Sequence, residues 1–523
     1  MSFVHLNVAS AFSAHYGVTR PERLAIAAKS MGFDALAITD RDGLYGAIKH
    51  IGACVQLGIS PIIGVNLRIV DFGRVTILAH GHDQGKGWAG LCRIISAAQA
   101  GRGKQKNIAI EPKLLSELAS HCTVLVGPEN IVSESVLTNP QLALARLGEL
   151  HQQLNAPGQL AIEVVTHLTE PGTALSIEHA RAMLELARVS KLPSVLSNAV
   201  RYLEPDDAVT ADVLDSARNL EPLGLFAPQP NAQAWLKPQA EMVRLALEIT
   251  EDPKQSIELL KTSSNLADRC RLEPQSDCGW GKPKTPEQSA LGIDGNPFEV
   301  LWQKTHGAIQ WRYPNAPAAK LAEIQHRLSK ELIAVNQLGF ATYFLTVADV
   351  AQMIRDMKIR IAARGSGAGS LINYLLGISG VDPISEGLLF ERFLSTERST
   401  LPDIDIDVES ARRHDIYKAI FRRYGGDRVT LLSMQSTYRG RGAVRDSGLA
   451  LGIAEDQIDE IAKNIWRFSA RSFREAMAKK PELEDFAKQS SEDRRLNLLV
   501  DITQRLDRLP RHISMHPCGV ILG

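Results

Sequence analysis

Leu401-Pro402-Asp403-Ile404-Asp405-Ile406-Asp407-Val408 places three carboxylates at alternate positions of an otherwise apolar run. Strand side chains have a period of two, so the aspartates share one face and Ile404, Ile406 and Val408 share the other. The apolar face can pack into a core while the acidic face lines a cleft. Carboxylates two residues apart on a strand stand about 7 Å apart, close enough to share hard divalent cations with substrate phosphates. Acidic runs are usually solvated loops, and Asp is depleted from strands. A strand with Asp at every second position therefore carries a folding cost that no structural benefit offsets. An EF-hand loop also spaces Asp this way, but it needs Gly at its sixth position and Glu at its twelfth. Counted from Asp403, those positions hold Val408 and His414.

The flanks narrow the chemistry. Upstream, Arg364-Gly365-Ser366-Gly367-Ala368-Gly369-Ser370 feeds the apolar run Leu371–Leu376, a glycine-rich turn opening a helix. Such a turn lets backbone amides approach an anion, and the helix N-terminus adds orphan donors and a favourable dipole. Neither a P-loop Gly-Lys-Ser/Thr nor a GxGxxG fingerprint is present, and a small-residue turn for tight helix packing reads almost equally well. Arg392 and Arg398 stand just before the aspartates, able to reach phosphates bidentately or to pair with Glu391 and Glu397. Downstream, residues 411–445 carry Arg412, Arg413, Lys418, Arg422, Arg423, Arg428, Arg439, Arg441 and Arg445 against only Asp415 and Asp427. This block is either a set of phosphate-backbone contacts or, in part, a solvated helix face. A metal strand, a phosphate turn and a basic block together point to nucleotidyl transfer.

Bulk properties bound the rest. The chain has 523 residues, 59 Lys plus Arg and 59 Asp plus Glu, so net charge indicates no partner. The length predicts three or four domains. Six cysteines form no CxxC pair or zinc spacing, and neither a signal peptide nor a long apolar run is present. The expectation is a reduced, cytoplasmic protein with no membrane segment.

To about residue 205, strand-like runs (residues 3–6, 35–38, 61–64, 75–78, 124–126 and 194–196) alternate with helix-like stretches such as 21–31 and 44–57. This predicts an α/β domain with a largely parallel, possibly closed sheet. Residues 206–272 read as helical, and 273–297, rich in Gly and Pro, as a joint. Leu321, Ile324, Leu328, Leu332 and Ile333 mark a helix ending at Gly339, with a second helix over 344–357.

Four segments then resemble a known family: Gly339–Phe344, Arg364–Ser370, Leu388–Leu394 and Pro402–Asp407 look like the successive palm motifs of bacterial family C DNA polymerases, the DNA polymerase III α subunits. Residues 438–446 are more similar to the error-prone branch than to the main replicase. The segment from His512 to Val520 resembles the return from thumb to palm. The resemblance implies an α/β multidomain fold. A PHP-like (βα) barrel with a helical extension would occupy residues 1–270. The first part of a β-type nucleotidyltransferase palm would occupy 271–434, a helical thumb 435–510, and the start of the second palm part 511–523. It implies Asp403 and Asp405 as ligands of two Mg2+ ions, with Arg364, Gly365, Ser366, Arg392 and Arg398 on the nucleotide phosphates. Arg412, Arg413, Arg439, Arg441 and Arg445 would meet DNA. Partners would be primer-template DNA, dNTPs and, through regions absent here, a sliding clamp and error-prone accessory proteins.

The PHP-like region departs from its family. Where ligands of a metal site are expected, this chain has Asn7, Ala9, Tyr16, Arg41, Asn66, Arg74, Ala199 and Arg201. Amides and guanidinium groups do not replace carboxylates and imidazoles at a transition metal, so the expectation is a metal-free scaffold. His80 and His82 are read as surface histidines. Family palms also need a third aspartate beyond the His516 segment, so residues 1–523 are expected to be a fragment, inactive alone. The alternative is a non-catalytic DNA- or partner-binding remnant.

Overall fold

The apolar runs of the N-terminal region become strands β1 (Ala35–Arg41), β2 (Ser60–Ile69), β3 (Gly73–Ala79), β4 (Ala109–Ile110), β5 (Cys122–Val126), β6 (Leu160–Val165) and β7 (Ser194–Ser197). The computed structural model describes residues 3–101, 107–154, 159–226, 228–394, 401–465 and 469–522. Contacts divide the chain into two units, Met1–Trp280 with Gln435–Ile513, and Gly281–Met434 with Ser514–Gly523. The first division falls inside the stretch expected as a joint.

In the first unit the strand order is β1-β2-β3-β5-β6-β7, with β4 on β2. Four pairings are parallel, and those of β3 with β2 and β5 are antiparallel. The sheet is largely parallel, as expected, and turns antiparallel at β3 for a simple reason. Only Val70, Asp71 and Phe72 link β2 to β3, whereas a parallel crossover needs a dozen residues or more. The extended segment 5–9 curls the sheet on itself. Ala37 and Thr39 donate to the carbonyls of His5 and Val8, and Ala9 donates to the carbonyl of Val200. Strand β6, Leu-Ala-Ile-Glu-Val-Val, is buried throughout, Glu163 included; that central Glu disguises it in the sequence.

Residues 435–513 of this unit supply helices Gly440–Ala450, Glu455–Asn464, Phe473–Lys479, Glu484–Glu492 and Arg494–Arg505. Buried Tyr438, Ile502 and Leu506 share one apolar cluster with Ala11, Val18, Tyr202 and Leu214.

A fully buried lysine sits beside the sheet. Lys237 Nζ donates to Asn198 Oδ1 at 3.0 Å and to the Gln233 carbonyl. Burial pulls its pKa down to about 7. Between that value and the ordinary lysine range the unfolded chain binds the extra proton, so stability rises with pH. Urea unfolding is expected to show a stability gain from pH 7 to 9, with a slope approaching about 1.4 kcal/mol per pH unit. Lys237→Met is expected to flatten it.

The second unit is built on helices Pro297–Arg312, Ala318–Leu338 and Ala341–Asp356. Leu301, Ile324, Leu328, Leu332, Phe344 and Phe393 form its core. Gly339, at φ 71°, stops the second helix in the left-handed conformation expected of a C-terminal glycine. Strands β8 (Ile361–Arg364) and β9 (Asp405–Val408) pair with each other, as do β10 (Val429–Thr437) and β11 (Pro510–Leu522). Among the described residues no single helix is long and apolar enough to cross a membrane.

Candidate nucleotide and metal site

β8 and β9 run antiparallel, with Ala362 opposite Asp407 and Arg364 opposite Asp405. Asp403, Asp405 and Asp407 are exposed, while Ile404, Ile406 and Val408 are half-buried, the two-faced pattern that a period of two requires. Asp403 lies just ahead of β9. Val408 packs against a cluster holding Ile354, Ile416 and Ile420.

The three carboxylates are not equivalent. Arg364 Nε approaches Asp407 to 3.4 Å. Among the described residues no hydrogen bond or ion pair engages the side chains of Asp403 or Asp405. Their charge reaches Tyr343, whose phenol is pushed up to about 12 by burial and then by Asp403 and Asp405. The Tyr343 hydroxyl donates to the Pro402 carbonyl at 2.7 Å, holding the start of the aspartate segment to helix Ala341–Asp356. Gly365, at φ +75°, would place a Cβ 3.5 Å from Asp405 Oδ2, so the backbone of the turn and the carboxylate are near neighbours. Exposed oxygen donors with no ion-paired cation among the described residues suit a hard divalent ion.

The glycine-serine turn carries a correction. Its expected phosphate donors included the N-terminal amides of helix Leu371–Leu375. Those amides are taken: Leu371 and Ile372 donate to the Glu331 carboxylate at 3.0 and 3.1 Å, and Asn373 donates to Ser370 Oγ at 3.2 Å. Ser370 Oγ itself donates to Glu331 at 3.0 Å. Glu331 is fully buried and also receives Arg327 Nε at 2.8 Å. Burial pushes the Glu331 carboxyl up, against Arg327 and the two amides, which pull it down. Arg327 Nη2 reaches the carbonyls of Gly369 and Leu388, both at 3.0 Å. Glu331 and Arg327 thus pin the turn from beneath, and the outward donors left are on exposed Arg364, Gly365 and Ser366. Arg392 is exposed in the turn Phe390–Arg392. Arg398 lies outside the described residues.

The basic block is divided. Arg412 and Arg413 belong to the second unit, and Arg439, Arg441 and Arg445 to the first. Arg412 pairs with Asp415 at 2.7 Å, Arg445 pairs with Asp459 at 2.6 Å, and Arg441 Nε donates to the Ile465 carbonyl at 3.0 Å. Arg439 is exposed and Arg413 half-buried. Part of the block is therefore the ion-paired helix surface that the sequence also allowed.

In the first unit Asn7, Ala9, Tyr16, Arg41, Asn66, Arg74 and Ala199 line a single cavity of about 90 Å3. Two carboxylates that sequence reading missed, Glu129 and Glu163, line it too, as does His167. Arg41 lies 3.3 Å over the Tyr16 ring and pairs with Glu129. Arg201 lies 4.0 Å over the same ring and pairs with buried Asp215 at 3.0 Å. Arg74 grips Asp42 bidentately at 3.0 and 2.8 Å and donates to Asn66 Oδ1 at 3.1 Å. Asn7 donates to Glu163 at 2.8 Å. Burial raises the Glu129 carboxyl, but Arg41 and Arg74 outweigh it and hold the group below its usual range. Arg41 and Arg74 bring guanidinium charge into the cavity lining, so the residues present there do not fit a transition metal. Among the described residues no group of three or more His, Cys, Asp or Glu could hold a metal ion. His80, expected at the surface, is buried at the end of β3 with Nε2 2.9 Å from Thr123 Oγ1. Burial lowers its pKa to about 4.

Two domain families match the chain. Residues 5–167 match the PHP domain, and residues 299–523 match the bacterial DNA polymerase III alpha NTPase domain. The chain thus carries a PHP domain and a bacterial DNA polymerase III alpha domain, and it is similar along its full length to error-prone DNA polymerases and DNA polymerase III α subunits. It is 32% identical over 544 residues to an error-prone DNA polymerase of Symbiobacterium thermophilum, covering 100% of this chain and 48% of that one. An error-prone DNA polymerase of Pseudomonas aeruginosa is 30% identical, with 100% and 47% covered. DNA polymerase III subunit alpha of Buchnera aphidicola is also 30% identical, with 100% and 44% covered. The chain spans about half the length of these curated relatives.

Proposed function

We propose that this chain forms the N-terminal part of a DNA-directed DNA polymerase of the error-prone type. It would add deoxynucleoside monophosphates to a primer 3′-hydroxyl as the template directs. The observation that carries the reading is the exposed pair Asp403 and Asp405, unpartnered among the described residues, beside the Arg364-Gly365-Ser366 turn. Two Mg2+ ions held by these carboxylates would supply Lewis acidity to the attacking hydroxyl and the departing pyrophosphate. Arg364, Ser366, Arg392 and Arg398 are assigned to the triphosphate, where guanidinium groups pair bidentately with phosphate oxygens. Arg413 and Arg439 are assigned to duplex phosphates. Arg412, Arg441 and Arg445 reach DNA only by leaving the partners described above. Residues 271–434 are assigned to the palm, and 435–510 to the thumb. The test is Mg2+-dependent primer extension by a version continued past residue 523. DNA binding without extension would favour the second reading, a non-catalytic DNA- or partner-binding remnant.

The barrel is proposed as a scaffold without metal chemistry. A ligand that binds only the folded state raises its unfolding midpoint by mass action. Addition of Mn2+ or Zn2+ is therefore expected to leave the thermal midpoint of the barrel unmoved, and no phosphatase or 3′-exonuclease activity should accompany it. A metal-dependent rise that disappears in Glu163→Gln would overturn this assignment.

A further inference from the structure

Two guanidinium groups of the second unit converge, with no carboxylate in ion-pair contact with either among the described residues. Arg312, the last residue of helix Pro297–Arg312, lies 4.2 Å over the Trp311 ring and 4.3 Å over the Tyr374 ring. Stacking fixes the plane of the guanidinium and leaves its edge donors to find partners elsewhere, yet Arg312 Nε is buried with none. Arg355 approaches from helix Ala341–Asp356. Its Nη1 and Nη2 lie 3.2 and 3.5 Å from the position of a Cβ on Gly377, and Arg312 Nη2 lies 3.5 Å from the same point. The like charges meet in a half-buried place, where burial and then the Arg312 charge hold the Arg355 guanidinium below its usual range, against the opposing pull of Asp356.

Nearby carboxylates are committed elsewhere. Asp349 accepts from Arg423 and Tyr424, Asp382 accepts from Tyr313 and Ser385, and Asp356 accepts from Gln352. Among the described residues neither Arg312 nor Arg355 forms an ion pair. Half-buried like charges without a counterion are unfavourable. An anion at the convergence point removes that cost, and a planar fork of donors matches phosphate oxygens. Gly377 leaves the space open, since a side chain there would meet both guanidinium groups.

The geometry points to a phosphate-binding site formed by Arg312 and Arg355 at the Gly377 turn, distinct from the aspartate site. It lies at the far end of the five-residue helix Leu371–Leu375 from the glycine-serine turn. The phosphate can come from a DNA backbone or from a free nucleotide or phosphate; the site rests on the polymerase reading only in naming DNA.

The test uses the 523-residue chain in EDTA. Anisotropy of a fluorescent primer-template duplex is measured against salt, and the thermal midpoint is measured with and without inorganic phosphate or dATP. If DNA is the source, Arg312→Gln and Arg355→Gln each weaken duplex binding about tenfold and reduce the salt slope by about 1. If the source is free, phosphate or dATP raises the wild-type midpoint but not that of the variants. Should Arg312→Gln fail to fold once its stacking is lost, Arg355→Gln, which has no such stack, decides alone. Wild-type duplex affinity, salt slope and phosphate response in a folded Arg355→Gln chain overturn the site. Asp403→Ala and Asp405→Ala, made in parallel, are expected to leave this metal-free binding unweakened, so the polymerase reading and this one can fail separately.

Discussion

Primer extension by a version continued past residue 523 is expected to fall by about three powers of ten in Asp403→Ala and in Asp405→Ala, with the folded state intact. Metal-assisted stabilisation of charge in phosphoryl transfer amounts to several kcal/mol, and each 1.36 kcal/mol is a factor of ten in rate. Both side chains are exposed and, among the described residues, make no hydrogen bond or ion pair. Their removal should therefore change stability by no more than about 0.5 kcal/mol, as is usual for surface positions. Asp407→Ala provides the contrast. Asp407 faces Arg364 at 3.4 Å, so its loss frees that arginine and should alter nucleotide KM more than the rate of the chemical step. Single-turnover extension, with nucleotide concentration varied, separates the two effects. Equal rates in wild type, Asp403→Ala and Asp405→Ala would end the assignment.

The aspartate strand was legible because a period of two writes itself directly into sequence. Asp403, Asp405 and Asp407 turn outward and the aliphatic residues between them inward, as read. The glycine that ends helix Ala318–Leu338 was legible for a similar local reason, since a left-handed C-cap selects glycine. The barrel's mixed sheet was less so, because strand direction depends on connection length and on which apolar runs are strands at all. Glu163 hid β6 by standing inside a buried run. Partnerships across the chain were the hardest to see. Nothing near Arg41 announces Glu129, and nothing near Ser370 announces a carboxylate 39 residues upstream. One signal was available for the latter. Ile324, Leu328, Glu331 and Val335 share a helical stripe, and a glutamate on an apolar stripe calls for buried donors.

That stripe leads to the second large effect. Glu331→Ala is expected to destabilise the second unit by about 3–5 kcal/mol, the range for breaking a buried charged pair by removing one partner. The carboxylate collects Arg327 Nε, Ser370 Oγ and the amides of Leu371 and Ile372 at 2.8–3.1 Å, and it is wholly buried. Alanine leaves Arg327 Nε and three neutral donors without their acceptor, and Ser370, Leu371 and Ile372 are wholly buried. Glu331→Gln keeps the volume and one acceptor oxygen, so it should cost less, about 1–3 kcal/mol. Urea unfolding of the two variants, with Arg327→Met and the Arg327/Glu331 double variant, gives the coupling between them directly. A mainly structural salt bridge predicts strong coupling in stability alone. If the pair positions the turn, as its bonds to Ser370, Leu371, Ile372 and the Gly369 carbonyl imply, Glu331→Gln in the continued polymerase should also raise nucleotide KM while duplex affinity stays unchanged. The reason is that Arg364, Gly365 and Ser366 ride on the segment that Glu331 and Arg327 hold. A Glu331→Ala chain as stable as wild type would show that water or another donor set replaces the carboxylate.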